Sequence, residues 1–108
     1  MQCNIHVFFY TYHGEQILVL SKDDKDLLLP STSLENHDSV DSAIRSVLLD
    51  INHFGSPKLV SMEYNKGKSL DLFYSVHIPN NRVYKEKFLD ITPYIPENQI
   101  VRKFLCVI

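Results

Sequence analysis

The chain has 108 residues, 44% of them apolar, with six Tyr, six Phe and a formal net charge of −2. That length suits one domain spanning residues 1–108, and the apolar fraction excludes a disordered tail. Its 11 Lys and Arg are scattered and form no basic stripe, so a protein that grips nucleic acid through many phosphates is not expected.

Cys3–Tyr12 is aromatic and β-branched on both faces, with Ile5, Val7 and Phe9 against Phe8, Tyr10 and Tyr12. This predicts a central strand buried on two sides. The stretch has no basic segment ahead of it, is too short to span a bilayer, and is broken by Asn4 and His6. It therefore reads as neither signal peptide nor membrane span, and a cytoplasmic location is expected. Cys3 and Cys106 each lie in an apolar run, as two small buried hydrophobes in a reducing compartment would; a disulfide between them is the alternative.

His13-Gly14 predicts a tight turn into a second strand, Gln16–Ser21. Lys22–Asp26 reads as a solvated loop, and Leu27-Leu28-Leu29-Pro30 as a short apolar strand closed by proline. After the polar run Ser31–His37, residues Val40, Ala43, Ile44, Val47, Leu48 and Ile51 fall at i, i+3, i+4, i+7, i+8 and i+11, one broad helical face. Asp38 or Ser39 supplies the N-cap, Asp38 and Asp41 complement the helix dipole, and Asn52–Gly55 with Pro57 stops the helix. Lys58–Tyr64 and Leu70–Ile78 alternate as strands around an Asn65–Lys68 turn. Pro79-Asn80-Asn81 is a break, and Glu97–Cys106 predicts a closing helix. The order is β-β-β-α-β-β-(β)-α, a mixed sheet with helices packed on it.

Residues 29–54 carry a motif within that order. Leu29-Pro30 leads into Ser33-Leu34-Glu35-Asn36-His37-Asp38-Ser39, then into a capped helix with Ala43 on its apolar face. The segment resembles the box of the Nudix superfamily, which reads Gly-x5-Glu-x7-Arg-Glu-U-x-Glu-Glu-x-Gly-U, with U a bulky aliphatic. Aligned without gaps, Thr32 takes the first glycine, Asp38 the first glutamate, Ser46 the arginine and Val47 the next glutamate. Leu48 takes U, Asp50 and Ile51 the paired glutamates, His53 the glycine and Phe54 the last U. A one-residue deletion instead puts Arg45 on the arginine and Asp50 on the second paired glutamate. Helix phase favours the ungapped register, because the gapped one turns Ser39 and Ser42 toward the core. The resemblance implies an α+β, Nudix-like α/β/α sandwich with a central box helix and a C-terminal helix.

It also implies what has been lost. Nudix enzymes hold Mg²⁺ on several helix carboxylates, which polarise the phosphoryl group and activate water. Here Val47 and Ile51 replace two of them and Asp50 remains. The resemblance thus implies a non-hydrolytic binding module without a cofactor, taking a nucleotide-type ligand or a protein partner, as a small regulator or inhibitor. The alternative is a divergent Mg²⁺-dependent pyrophosphohydrolase of nucleoside diphosphate derivatives using Asp38, Asp50 and Glu35, with Asp50 and Glu86 the weak metal candidates. Ligand-binding candidates are Tyr10, Tyr12 and Tyr74, whose rings suit a base, and Thr32 in the loop that approaches phosphates in the family. Val47 and Ile51 are either packed over by the protein or offered to a partner, including a second copy, as an apolar patch. Five histidines show no metal-ligand spacing, although His6 and His77, both on predicted strands, could meet across the sheet.

Overall fold

The computed structural model describes residues 2–51, 55–79 and 87–108. Its elements in chain order are β1 (Gln2–His13), β2 (Gln16–Ser21), β3 (Ser31–Ser33), α1 (Val40–Asp50), β4 (Lys58–Asn65), β5 (Ser69–His77), β6 (Lys87–Asp90) and α2 (Gln99–Val107), with single 3₁₀ turns at Leu34–Asn36 and Thr92–Tyr94. The sheet runs β4-β5-β1-β2-β6. β1 and β5 are parallel, with Val7 opposite Tyr74, and the other pairs are antiparallel. β5 takes one edge of β1 along most of its length. The other edge is divided: Asn4–His6 pair with β3 and Tyr10–His13 with β2.

The two-sided apolar pattern of β1 becomes two cores, one on each face of the sheet. Ile5, Val7 and Phe9 join Leu20, Leu72 and Val76 beneath Ala43, Ile44, Val47 and Leu48 of α1 and the adjoining Ile51. Phe8 points the other way and joins Val19, Ile91, Val101 and Phe104, the last two from α2. The result is a helix–sheet–helix sandwich. Burying side chains of this size contributes roughly 1.5–3 kcal/mol each, so the sheet is fixed from both faces.

Ser39 is the N-cap of α1, its Oγ accepting from the Ser42 amide at 3.1 Å. Asn98 caps α2, its Oδ1 accepting from the Ile100 and Val101 amides at 3.0 and 3.1 Å. Each cap satisfies amides that the first helical turn leaves without a partner. Gly14, at φ 62°, makes the β1–β2 turn, and Gly67, at φ 72°, the β4–β5 turn, a backbone region that L side chains disfavour.

Three expectations need correction. The third strand is not Leu27–Leu29 but the polar Ser31–Ser33 beyond the proline. Leu27 and Leu29 serve the α2-side core as irregular chain, because the Pro30 carbonyl accepts from the Val7 amide and brings the next three residues alongside β1. β4 does not alternate throughout, since a bulge between Leu59 and Ser61 shifts its register. Cys106 is exposed and Cys3 half-buried, and both are free thiols. No helix among the described residues is long and apolar enough to cross a membrane.

Candidate functional site

The box segment forms β3, the 3₁₀ turn and α1. Thr32 Oγ1 lies 3.1 Å from His37 Nε2 and the His37 amide donates to the Leu34 carbonyl at 3.0 Å, so strand and turn are closed on each other. Thr32 thereby spends its hydroxyl on the loop itself. Past the loop, the outer face of α1 lines an open groove with Asp41, Ser42, Arg45, Ser46, Leu49 and Asp50, with His37 at its end.

Helix phase decides where Val47 and Ile51, aligned above with metal-binding glutamates, are placed. Val47 is 2% exposed and Ile51 4%, both within the α1-side core. They are not a docking patch: the sheet covers them, and the interface expectation is overturned. Ser39 is exposed and Ser42 half-buried. The acids that remain do not fit a shared cation. Asp41 and Asp50 line the same groove nine positions apart, which at 1.5 Å per residue is about 13 Å along the helix. Asp38 and Glu35 are exposed ahead of the helix and do not line the groove. Among the described residues no three His, Cys, Asp or Glu converge to hold a metal ion. Glu86 lies outside the described residues.

The tyrosines do not assemble either. Tyr10 and Tyr12 lie on the α2 face, where Tyr10 packs edge-on to Phe104 at 5.4 Å and to Tyr12 at 5.8 Å. Tyr74 belongs to the opposite face, with the α1-side core. Burial raises the hydroxyl pKa of both Tyr10 and Tyr74, helped by Tyr12 for the first and by Asp41 and Cys3 for the second. His6 and His77 share a face but do not meet. His6 sits opposite Phe73 and His77 opposite Tyr10.

What sequence reasoning missed is a pocket of about 270 Å³ on the α2 face, lined by His6, Phe8, Phe73, Leu28, Ser31 and Asn98 among others. His6 stacks on Phe73 with ring centroids 4.7 Å apart and planes 19° apart. Its Nε2 lies 2.9 Å from Asp71 Oδ1. The Asp71 carboxylate is fully engaged: Asn4 Nδ2 also donates to Oδ1, at 3.2 Å, while Asn65 Nδ2 and Ser69 Oγ donate to Oδ2, at 2.8 and 3.3 Å. Burial pushes the Asp71 carboxyl pKa up, but hydrogen bonds from His6 and Asn4, the charge of His6 and the Ser69 hydroxyl outweigh it, and the pKa lies below the ordinary value. The signal for this site was present as Asn4, His6 and Asp71, polar residues interrupting two apolar strands at inward positions.

No protein-family model matches the chain, and no curated protein matches it in sequence. Solved structures do match its fold. The NUDIX domain of Shewanella oneidensis NrtR, solved with ADP ribose, superposes with a TM-score of 0.62 at 12% identity, over 95% of this chain and 87% of that one. Another S. oneidensis NrtR structure gives 0.62 at 12% identity, over 99% of this chain and 60% of that one. Caenorhabditis elegans Ap4A hydrolase gives 0.63 at 12% identity, over 98% and 97% of the two chains. The chain has a Nudix-like fold, and among the described residues its α1 groove holds no clustered acid set. The α/β/α arrangement implied by residues 29–54 is the one observed.

Proposed function

We propose that this domain binds a nucleotide-type small molecule and does not hydrolyse it. The observation that carries the reading is the burial of Val47 and Ile51, which leaves Asp41 and Asp50 about two and a half helical turns apart as the acids of the α1 groove. A metal-dependent phosphoryl transfer needs carboxylates close enough to share the ion, and it needs water activated there. The His6–Phe73 pocket supports a planar ligand, since apolar and aromatic walls with a few fixed polar groups are how small-molecule sites are built. The ADP ribose in the NrtR domain supports the ligand class. The two free thiols support a cytoplasmic location.

A thermal-shift panel with ADP-ribose, ATP and dinucleoside polyphosphates, run beside Mg²⁺- and Mn²⁺-dependent phosphate release, tests this. A ligand at 100 times its Kd stabilises by about 2.7 kcal/mol, and the expected result is such a shift without turnover. Turnover that Asp50→Ala abolishes would establish instead the divergent hydrolase built on Asp38, Asp50 and Glu35.

A second reading, a module that binds a protein or a second copy of itself, has one observation in its favour. Leu59, Met62 and Tyr64 are 49%, 59% and 60% exposed on β4, an edge strand whose outer backbone can accept another strand. No shift with any nucleotide, together with a concentration-dependent dimer or a captured partner, would select it.

A further inference from the structure

We infer that His6 is a specificity-determining hydrogen-bond acceptor in the sheet-face pocket, selecting a planar ligand that carries an amino group. The inference rests on the nucleotide-type reading and deepens it. Asp71 accepts from four side chains and is held as the carboxylate, which has no proton to give. The hydrogen between His6 and Asp71 must then come from His6, so Nε2 carries it. In a neutral imidazole that leaves Nδ1 as a bare lone pair.

Among the described residues Nδ1 has no hydrogen-bond partner; Ser31, opposite His6 in the sheet and lining the same pocket, makes no hydrogen bond to it. The ring cannot easily turn to hide that lone pair, because it is stacked on Phe73 and tied to Asp71 from the neighbouring strand. The arrangement is a carboxylate fixing an imidazole tautomer, as carboxylates do for metal-bound and catalytic histidines. Here the imidazole faces an aromatic and aliphatic pocket in place of a metal or a nucleophile. A ligand whose amino group reaches Nδ1 fills the pocket's unused acceptor, whereas the same ring without that group leaves the acceptor desolvated and unpaired. Against the neutral ring, a carboxylate or phosphate oxygen would face a lone pair.

Adenosine and purine riboside differ only by the amino group and are the probes. Binding is followed by titration at pH 8 with amide spectra. The tautomer of His6 is read independently from long-range proton–nitrogen correlations, assigned by the cross-peaks lost in His6→Gln. The expected results are the Nε2–H tautomer and a preference for adenosine of at least about tenfold, falling to within about twofold in His6→Phe and in Asp71→Asn. The Asp71 variant preserves the shape of the site while removing the fixed carboxylate, so it tests the lock and not the packing. Equal binding of the two nucleosides by the native protein, or an Nδ1–H tautomer, overturns the inference and leaves the nucleotide reading standing. Absence of binding by either nucleoside or by the phosphorylated panel overturns both.

Discussion

Phe8 of β1 and Phe104 of α2 lie face to face, with ring centroids 4.4 Å apart and planes 5° apart, and neither is accessible to solvent beyond 1%. Phe104 also receives the edge of Tyr10 at 5.4 Å. The last helix is therefore anchored to the centre of the sheet through Phe104, beside the equally buried Val101. Phe104→Ala should cost about 3–5 kcal/mol, the range for emptying a buried phenylalanine site. Urea denaturation measures it, and a loss below 1 kcal/mol would mean that α2 is not anchored there.

The ungapped alignment sets Val47 and Ile51 against metal-binding glutamates of the Nudix box, so introducing an acid there is an instructive change. With Val47 at 2% exposure, Val47→Glu places a carboxylate in an apolar core with no partner. A destabilisation on the order of 3–5 kcal/mol is expected, with no gain of Mg²⁺-dependent hydrolysis. A stable Val47→Glu, Ile51→Glu protein that cleaves nucleotides would show that this face opens to solvent.

The pH dependence of stability follows from Asp71. Its folded-state pKa is lowered, so unfolding raises its proton affinity, and the stabilisation is fully present above the ordinary aspartate range, near 4. That contribution is lost as the pH falls below this range through the folded-state value. Asp71→Asn should flatten this acid limb relative to the native protein when midpoints of chemical denaturation are compared between pH 6 and pH 2.5. An unchanged limb would assign acid sensitivity to other carboxylates. At the alkaline end the raised pKa values of Tyr10 and Tyr74 act in the reverse direction. Their contributions are present below pH 10 and are lost as the pH rises through the folded-state values.

The parts of the fold written in local periodicity were legible from the sequence. The six apolar positions from Val40 to Ile51 mark the face that α1 buries, apart from a half-buried Val40, and the two-sided pattern of β1 marks its place between two helices. The position of β3 was not legible. Ser31-Thr32-Ser33 has no apolar pattern of its own and becomes a strand only because Asn4–His6 offer a free edge beside it. The pocket was illegible for a related reason. His6 and Asp71 are 65 positions apart, and only the parallel β1–β5 register brings them together. The tyrosines suggested a base-stacking site because ring content is visible in sequence, whereas the face on which each ring lies depends on register. Tyr10 and Tyr74 fall on opposite sides.

The divided partnership of β1 has a consequence for how the chain reaches this structure. Its longest ladder runs from Gln2–Tyr10 to Ser69–His77, so most of the chain separates the two strands that form the centre of the sheet. Closing so long a loop is entropically unfavourable before any contact compensates, and topologies dominated by such pairs fold slowly. Until β5 arrives, a long strand with apolar side chains on both faces keeps one backbone edge unpaired, which is a template for aggregation. A fragment ending after α1 would therefore retain the box helix and its caps yet be expected to self-associate, because what it lacks is the strand that covers β1.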